Sequence, residues 1–248
     1  MQQRIEIGSN YMRSVYSRML QALNINEGDF IITERTLRLE VPYIGGKNSY
    51  ELAIVENKGS DRPLERKLNR NDGFVLSHLG FGITKQDTSV SPAQYANFPV
   101  LTFPDPNFFA GVSGGISEAG CLECSYNGDV SLKVNNTEII QEFSLLHNRF
   151  VPERGYTLLA APQVANEWPM YGPHMEQRGF YPYSVNAILN GQDNNTLNFQ
   201  LGAGNTEQIA GLTDKDGGAV NTRNVAVFFL HGYEIAEAAQ SGLRWGTF

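Results

Sequence analysis

Hydrophobic side chains near the amino end of the chain recur with the spacing of an amphipathic helix. Between Tyr11 and Leu23 they fall every three or four residues, so they share one stripe of a helix. Asn-Glu-Gly at 26–28 is a turn sequence that ends the helix. Such a helix either packs on the core of its own chain or docks as an arm on a neighbouring subunit. The second possibility makes four side chains candidates for contacts between subunits: Tyr11, Met12, Tyr16 and Met19.

Beyond residue 30 apolar residues alternate with polar ones or form short apolar runs, which predicts β-strands. The predicted strands are 30–41, 50–55, 74–84, 98–103, 120–126, 130–134, 137–146, 183–189, 196–201 and 224–235. Asn-Gly occurs at 127–128 and at 190–191, and this dipeptide between two strand-like runs is a strong hairpin signal. Segments rich in Gly, Pro, Asn and Ser indicate long loops at 86–97, 104–119, 161–179 and 202–222.

Many short strands joined by turns, without regular alternation with helices, predict a mainly β protein and exclude a parallel α/β fold. The expected architecture is a two-sheet antiparallel β-sandwich with one amphipathic helix at its amino end and long loops. Residues 56–72 are rich in charge and predict a connection or a short helix. We therefore place a boundary there, between an N-terminal region of helical arm and short strands (1–67) and the main sandwich (68–248).

The composition indicates a compact protein whose surface is polar but weakly charged. Charged residues make up 18% of the 248 residues, against roughly 25% in an average soluble domain, and hydrophobic residues make up 41%. Such a surface suits burial against other subunits. The formal net charge of −7 argues against direct nucleic-acid binding, because phosphate recognition needs clustered Lys and Arg.

The sequence also bears on the compartment of the protein. No apolar run approaches the roughly 18 residues of a membrane span, so we expect no membrane-spanning segment. Polar residues follow Met1 directly, where a secretory signal would have an apolar core. We therefore expect synthesis and assembly in a cytoplasm.

The residues that commonly bind metals or form redox pairs are few and scattered. Cys121 and Cys124 form a Cys-x-x-Cys pair, but a zinc site needs two further ligands and the chain has no second pair. Residues 120–126 have the pattern of a strand, so both thiols are expected to be packed and free. The histidines are single and far apart in the sequence: His78, His147, His174 and His231. We predict no metal site and no cofactor.

No arrangement of catalytic residues stands out. Gly-x-Ser-x-Gly at 111–115 matches the pattern of a hydrolase nucleophile, which needs a strand before the serine and a helix after it. The residues that follow contain Gly and run into a predicted strand, which favours a loop. Asp-Lys-Asp-Gly-Gly at 214–218 is similar to part of a calcium loop but lacks the closing Glu. We predict that the protein is not an enzyme, with a hydrolase acting through Ser113 as an alternative.

Two segments carry large aromatic side chains in unusual positions. One is the Pro-rich stretch 168–183, whose rings suit a protein interface or a sugar-binding site. The other is 242–248, where large apolar side chains are unusual because terminal segments are normally polar. Each segment either packs on its own chain or contacts a neighbouring subunit. The contact candidates in these segments are Trp168, Tyr171, Tyr181, Leu243, Trp245 and Phe248.

Several segments of the sequence resemble segments of virion proteins of bacterial viruses. They are Leu68-Asn-Arg-Asn-Asp-Gly-Phe-Val-Leu-Ser-His-Leu-Gly-Phe-Gly-Ile83, Gly128-Asp-Val-Ser-Leu-Lys-Val-Asn-Asn-Thr-Glu-Ile-Ile140 with Phe150-Val-Pro152, and Val225-Ala-Val-Phe-Phe-Leu-His-Gly-Tyr-Glu-Ile235. The resemblance covers residues 68–236 and is to jelly-roll capsid and capsid-associated proteins. It implies a jelly roll in which an early strand and the final strand lie side by side. It also implies a role in building or decorating an icosahedral phage capsid.

The leading hypothesis is a structural virion protein, assembled in the host cytoplasm and located in the virion. Its expected partners are copies of itself and other virion proteins, contacted through the helix, the aromatic stretch and the end segment. The alternative from another class is a carbohydrate-binding β-sandwich module, in which sugar rings stack on Trp168, Tyr171, Tyr181 and Tyr183. Self-association supports the first hypothesis, and saturable glycan binding by a monomer supports the second.

Overall fold

The computed structural model describes residues 2–25, 30–56, 64–89, 98–113, 116–151, 179–203, 207–212 and 218–237, which form a mainly β protein. Its α-helices are α1 (Gln2–Leu23) and α2 (Glu118–Tyr126), and short 3₁₀ helices lie at Leu145–Asn148 and Glu207–Ala210. The strands are β1 (Ile32–Pro42), β2 (Ser49–Ala53), β3 (Gly73–Asp87), β4 (Val112–Ser113), β5 (Ile116–Ser117), β6 (Asp129–Val134), β7 (Thr137–Ser144), β8 (Phe180–Asn190), β9 (Asn195–Gln200) and β10 (Thr222–Ile235).

The long strands form two four-stranded antiparallel sheets. The first sheet has the strand order β1-β10-β3-β8, and the second has the order β2-β9-β6-β7. Aromatic rings join them across the core: the centroid of Phe199 in β9 lies 5.7 Å from that of Phe81 in β3 and 5.2 Å from that of Phe228 in β10. The expected mainly β architecture of two antiparallel sheets is confirmed, and the rings pack between them as in a sandwich.

The central strands of the first sheet are buried on both faces. In β10, Ala226 and Phe228 face the core between the sheets, whereas Val225 and Val227 belong to a cluster on the outer face. In β3, every residue from Phe74 to Ile83 is buried except one. Burial on both faces explains why these strands read as continuous apolar runs in the sequence.

Helix α1 covers one end of the outer face of the first sheet. The cluster between the helix and the sheet consists of Val15, Met19, Leu23, Ile25, Val75, Ile188 and Ile235. Each such aliphatic side chain contributes about 1.5–3 kcal/mol when it is fully buried. The helix therefore packs on its own chain, which was the first of the two arrangements expected from its pattern.

Helix α2 corrects a prediction, since residues 120–126 were expected to form a strand. The helix begins after Ser117, whose hydroxyl oxygen accepts a hydrogen bond from the backbone N–H of Gly120 at 3.2 Å. Seven of its nine residues are buried. A short helix that is buried nearly all round has no apolar stripe, so its pattern does not differ from that of a buried strand.

Most other predicted strands are confirmed. The run 98–103 is the exception, because among its residues only Leu101 forms a bridge, with Ile83.

The predicted boundary between residues 67 and 68 falls between strands that belong to the same two sheets. On the N-terminal side of the boundary, β1 is the first strand of one sheet and β2 the first strand of the other. Residues 64–72 form no helix, and Arg66 bonds to the backbone of Arg38 along the outer edge of β1.

Candidate contact surface

Aromatic side chains are exposed together where β7 ends and β8 begins. Tyr181 in β8 is 38% exposed, and its ring stacks on that of His147 with 4.6 Å between the centroids. The ring of Phe143 in β7 lies 5.4 Å from that of Tyr181. Leu146, which precedes His147 in the chain, is 57% exposed. We call these four side chains the aromatic surface.

The 3₁₀ helix Leu145–Asn148 determines which of its side chains reach this surface. Leu145 is fully buried in the core. Asn148 is also buried, and its amide donates to two backbone carbonyls at 2.7 and 2.8 Å, one of them that of Gly179 directly before β8. Because Leu145 and Asn148 are held inward, Leu146 and His147 are left facing solvent beside the first residues of β8.

Strand β7, which carries Phe143, lies at the edge of the second sheet and is irregular. Relative to β6 it holds one extra residue at Ile139 and another at 141–142, and Glu142 has a φ of 45°. Such bulges bend a strand and increase its twist. Beyond the second bulge Phe143 is paired with Val130, and its half-buried ring packs both on the core and on Tyr181.

The contact candidates predicted from the sequence lie in different environments. Tyr181 is on the aromatic surface. Met12 and Tyr16 are half-buried where α1 meets the first sheet. At this contact the hydroxyl of Tyr233 donates a hydrogen bond to the carbonyl of Met12 at 3.1 Å. Met19 packs against the chain's own sheet, and its side chain is 0% exposed. Outside the described part of the structure lie the side chain of Tyr11 and the residues Trp168, Tyr171, Leu243, Trp245 and Phe248.

Two of the histidines, each treated as single in the sequence, are neighbours in the first sheet. His78 of β3 is paired with His231 of β10, and their ring centroids are 5.7 Å apart. Ser77 is an extra residue in β3 at this point; its hydroxyl donates to the carbonyl of His231 at 2.8 Å and lies 2.9 Å from Nδ1 of His78. Nδ1 of His231 lies 2.9 Å from the hydroxyl of Thr36, and its Nε2 lies 3.3 Å from Oε1 of Glu34.

The environment of His78 disfavours the charged form of its ring. Burial, and in second place the neighbouring His231, lower the pKa of His78 to about 4 from an ordinary value of 6.5. This pair could not be predicted from the sequence, because it depends on the register of two strands that are far apart in the chain.

Both thiols of the Cys-x-x-Cys pair are buried in α2. Cys121 and Cys124 are reduced thiols that form no disulfide, as predicted, and each is 3% exposed. Burial, and in second place Cys121, raise the pKa of Cys124 to about 11. The nucleophilic thiolate is therefore scarce at neutral pH.

Alkylation of the two cysteines is expected to be slow in the folded protein. At about pH 8 only about one Cys124 side chain in a thousand is a thiolate, and burial further limits access to both sulfurs. A time course with iodoacetamide, followed by intact-protein mass spectrometry, measures the rate in buffer and in concentrated urea. Equal rates in the two solutions would show that the native α2 does not protect its thiols.

A buried polar cluster links α2 to the first sheet. Oε1 of Glu118 lies 3.4 Å from Nζ of Lys85 in β3 and accepts from the amide of Asn224 in β10 at 2.6 Å. Its other oxygen accepts from the backbone N–H of Gly111 at 3.0 Å. Since Glu118 is 1% exposed, these partners replace the water that its carboxylate loses on folding. The cluster ties the 111–118 hairpin to the sheet.

The described part of the chain has neither a cluster of metal-binding side chains nor a helix suited to a membrane span. Within it, no three His, Cys, Asp or Glu side chains are grouped so that they could hold a metal ion. No helix in the described ranges is both long and apolar enough to cross a membrane. Ser113 lies in β4, and β5 separates it from the start of α2, so the helix does not follow the serine directly.

Comparisons with known proteins found no relative. No protein-family model matches the chain, and no match was found among curated proteins or solved structures.

Proposed function

We propose that the protein is a structural subunit of a bacterial virus, a jelly-roll capsid or capsid-associated protein that assembles with copies of itself or with other virion proteins. The strand order is the observation that carries this proposal. β1 pairs with β10, β2 with β9, β3 with β8 and β6 with β7. A long hairpin that rolls up into two sheets pairs its strands in this nested order, and eight-stranded jelly rolls occur in viral capsids and in lectins.

Fold alone does not select a function, because jelly rolls serve several. Two further points favour a structural role. The first is our interpretation that segments within residues 68–236 resemble jelly-roll virion proteins, a range that includes six of the eight strands of the two large sheets. On the aromatic surface Tyr181 is exposed and stacked on His147, and Leu146, next to His147 in the chain, is exposed as well; aromatic side chains are enriched at the centres of protein interfaces.

A shell needs only weak contacts at each surface. Many copies repeat the same contact, so a modest free energy per contact is multiplied over the assembly. The low fraction of charged residues, 18%, reduces the cost of removing water from such a surface. The aromatic surface is the part of the described structure that we assign to this contact.

The first experiment measures the mass of the protein in solution by light scattering over a concentration series. The wild type is expected to form species larger than 27.5 kDa, with a mass that rises with concentration. Leu146→Asp is expected to shift this rise to at least tenfold higher concentration, because a buried carboxylate opposes the contact.

Leu212→Asp is the matched control, since Leu212 is 55% exposed and Leu146 is 57% exposed. This variant should assemble like the wild type and unfold at the same temperature as Leu146→Asp. A wild type that remains a monomer at every concentration contradicts self-assembly. Equal effects of the two substitutions contradict the assignment of the contact to the aromatic surface.

A carbohydrate-binding module is the second candidate, and Tyr181 favours it. Lectins also use the jelly roll, and an exposed tyrosine ring is a common platform for a sugar. In this case a monomer binds a glycan saturably, and Tyr181→Ala removes binding without lowering stability. Isothermal titration with a panel of oligosaccharides tests this, and heat from none of them would contradict it.

A further inference from the structure

A lysine, a glutamate and an asparagine meet in the buried polar cluster beside α2. Lys85 of β3 and Asn224 of β10 are paired across the two strands, so their side chains leave the sheet on the same face. Nζ of Lys85 lies 3.4 Å from Oε1 of Glu118, and Nδ2 of Asn224 donates to the same oxygen at 2.6 Å. One carboxylate oxygen therefore contacts both an amine and a carboxamide.

We propose that Lys85 and Asn224 join through an isopeptide bond, a covalent amide between their side chains, with Glu118 as the acid–base catalyst. In water this reaction is negligible, because the lysine is charged and a carboxamide is a poor electrophile. The cluster holds the amine beside the amide and supplies a group that can move the protons. The bond forms once in each chain, so it is a modification of the protein and not enzymatic turnover.

Aromatic rings keep water away from the lysine and the glutamate. The ring centroids of Phe108 and Phe109 lie 5.7 and 5.6 Å from Nζ of Lys85, and Phe109 is fully buried, as is Glu118. Two opposite charges are costly to hold where water is scarce. Transfer of one proton from Nζ to Oε1 converts them into a neutral amine and a neutral carboxylic acid. The neutral amine is the form of lysine that attacks a carbonyl carbon.

The carboxylate and the carboxamide are held in fixed orientations. Oε2 of Glu118 accepts from the backbone N–H of Gly111 at 3.0 Å, which leaves Oε1 for the lysine and the asparagine. Nδ2 of Asn224 also donates to the carbonyl of Ile209 at 3.1 Å. Oδ1 of Asn224 is buried and accepts no hydrogen bond from the described residues. Buried polar atoms are nearly always paired, so a purely structural role does not account for this carbonyl.

The proton and bond changes balance within these three side chains. After the first proton transfer, Nζ attacks Cγ of Asn224, and an electron pair of the carbonyl moves onto Oδ1. Glu118 then gives its proton to Nδ2, the Cγ–Nδ2 bond breaks as the electron pair on Oδ1 returns, and ammonia leaves. The carboxylate of Glu118 removes the extra proton from Nζ and passes it to the ammonia. Overall, a lysine ammonium and a carboxamide become a secondary amide and an ammonium ion, and Glu118 is regenerated.

The bond connects the two central strands of the first sheet. Lys85 and Asn224 are the third pair from the end of the ladder, which begins with Asp87 and Thr222. The ends of such ladders open more easily than their centres, and a covalent link holds this end closed. The link also closes a long loop in the unfolded chain, which lowers the entropy of the unfolded state. Unlike a disulfide, it resists reducing agents.

Mass spectrometry of the intact, full-length protein tests the proposal. After prolonged incubation at neutral pH, the wild type should be lighter than the mass of its sequence by one molecule of ammonia. Succinimide formation at Asn-Gly 127–128 or 190–191 also releases ammonia, so the position of the loss must be found. A tryptic digest should contain a branched peptide in which Lys85 is joined to Asn224. A full mass, or a deficit without this peptide, overturns the proposal.

Substitutions assign the roles of the lysine and the glutamate. Lys85→Arg keeps the positive charge but lacks the amine, so it should have the full mass. Lys67→Arg is the matched control, because Lys67 is 14% exposed and lies 3.5 Å from Glu65, whereas Lys85 is 13% exposed and lies 3.4 Å from Glu118. This control should keep the deficit and the branched peptide. A deficit that persists in Lys85→Arg, or disappears in Lys67→Arg, overturns the proposal.

Glu118→Gln keeps the size of the side chain but cannot carry the protons. Most of this variant should retain the full mass at times when the wild type has reacted. Bond formation at the wild-type rate in this variant overturns the catalytic role of Glu118. If the variant does not fold, the branched peptide of the wild type and the mass of Lys85→Arg still decide whether the bond exists.

Discussion

Replacing Phe228 by alanine is expected to lower the free energy of unfolding by about 3–5 kcal/mol, the range for large aromatic side chains in cores. The ring of Phe228 is 0% exposed, and its centroid lies 4.9 Å from that of Phe81 in the same sheet. It also lies 5.2 Å from that of Phe199 in the facing sheet. The substitution therefore leaves a cavity at the point where the two sheets meet, and rigid strands on both sides limit its collapse.

Urea denaturation followed by circular dichroism measures this loss. Phe229→Ala is the matched control, because Phe229 is the next residue of β10 and lies on the outer face of the sheet. Its half-buried ring packs on Phe180, with centroids 5.8 Å apart, so a clearly smaller loss is expected. Equal losses in the two variants would show that the core between the sheets does not dominate stability.

Replacing Glu118 by alanine is expected to cost a comparable amount, about 3–5 kcal/mol, because removal of one partner leaves the other charge buried and unpaired. The side chain of Lys85 is 13% exposed, and Glu118 is the carboxylate that compensates it at 3.4 Å. The backbone N–H of Gly111 loses its acceptor at the same time, and the amide of Asn224 keeps only its bond to the carbonyl of Ile209. The loss should be visible as a lower urea midpoint with an unchanged denaturant slope.

Glu123→Ala provides a control on the same helix. Glu123 pairs with Arg149 at 2.7 Å, but their side chains are 37% and 32% exposed, so solvent screens the pair. Its removal should cost less than about 1 kcal/mol. A small loss in both variants would mean that water reaches Lys85 when Glu118 is absent.

The sheets were predictable from the sequence to a large extent, because alternation and short apolar runs report burial directly. The runs at 74–84 and 224–235 became the two central strands of the first sheet. Helix α2 was missed for a physical reason: its residues are buried on nearly every side, so no periodicity distinguishes it from a strand. A sequence pattern carries no register, so the pairing of β2 with β9 was not predicted, and an early strand beside the final strand was expected only from the resemblance.

A residue of a candidate site was predictable from the sequence only where that residue type was unusual in its own segment. Tyr181 was selected as a contact candidate because a tyrosine in a Pro-rich stretch is unusual. Its stacking partner His147 was not selected, because it lies on a different element. The neighbours His78 and His231 depend on the register of β3 and β10 and on the extra residue Ser77. The sequence could not tell whether Met19 packs on its own sheet or on another chain, because an amphipathic stripe looks the same in both cases.

The irregularity of β7 restricts how copies of this protein can join. A regular edge strand can be extended by a strand from another copy, and repetition of that step gives a fibre without an end. In β7 the bulges at Ile139 and 141–142 break the even spacing of backbone donors and acceptors, and Glu138 and Glu142 add exposed charge. In the assembly that we propose, copies would therefore meet through side-chain surfaces and not through this edge, and the fixed angles of such contacts permit closed assemblies of finite size.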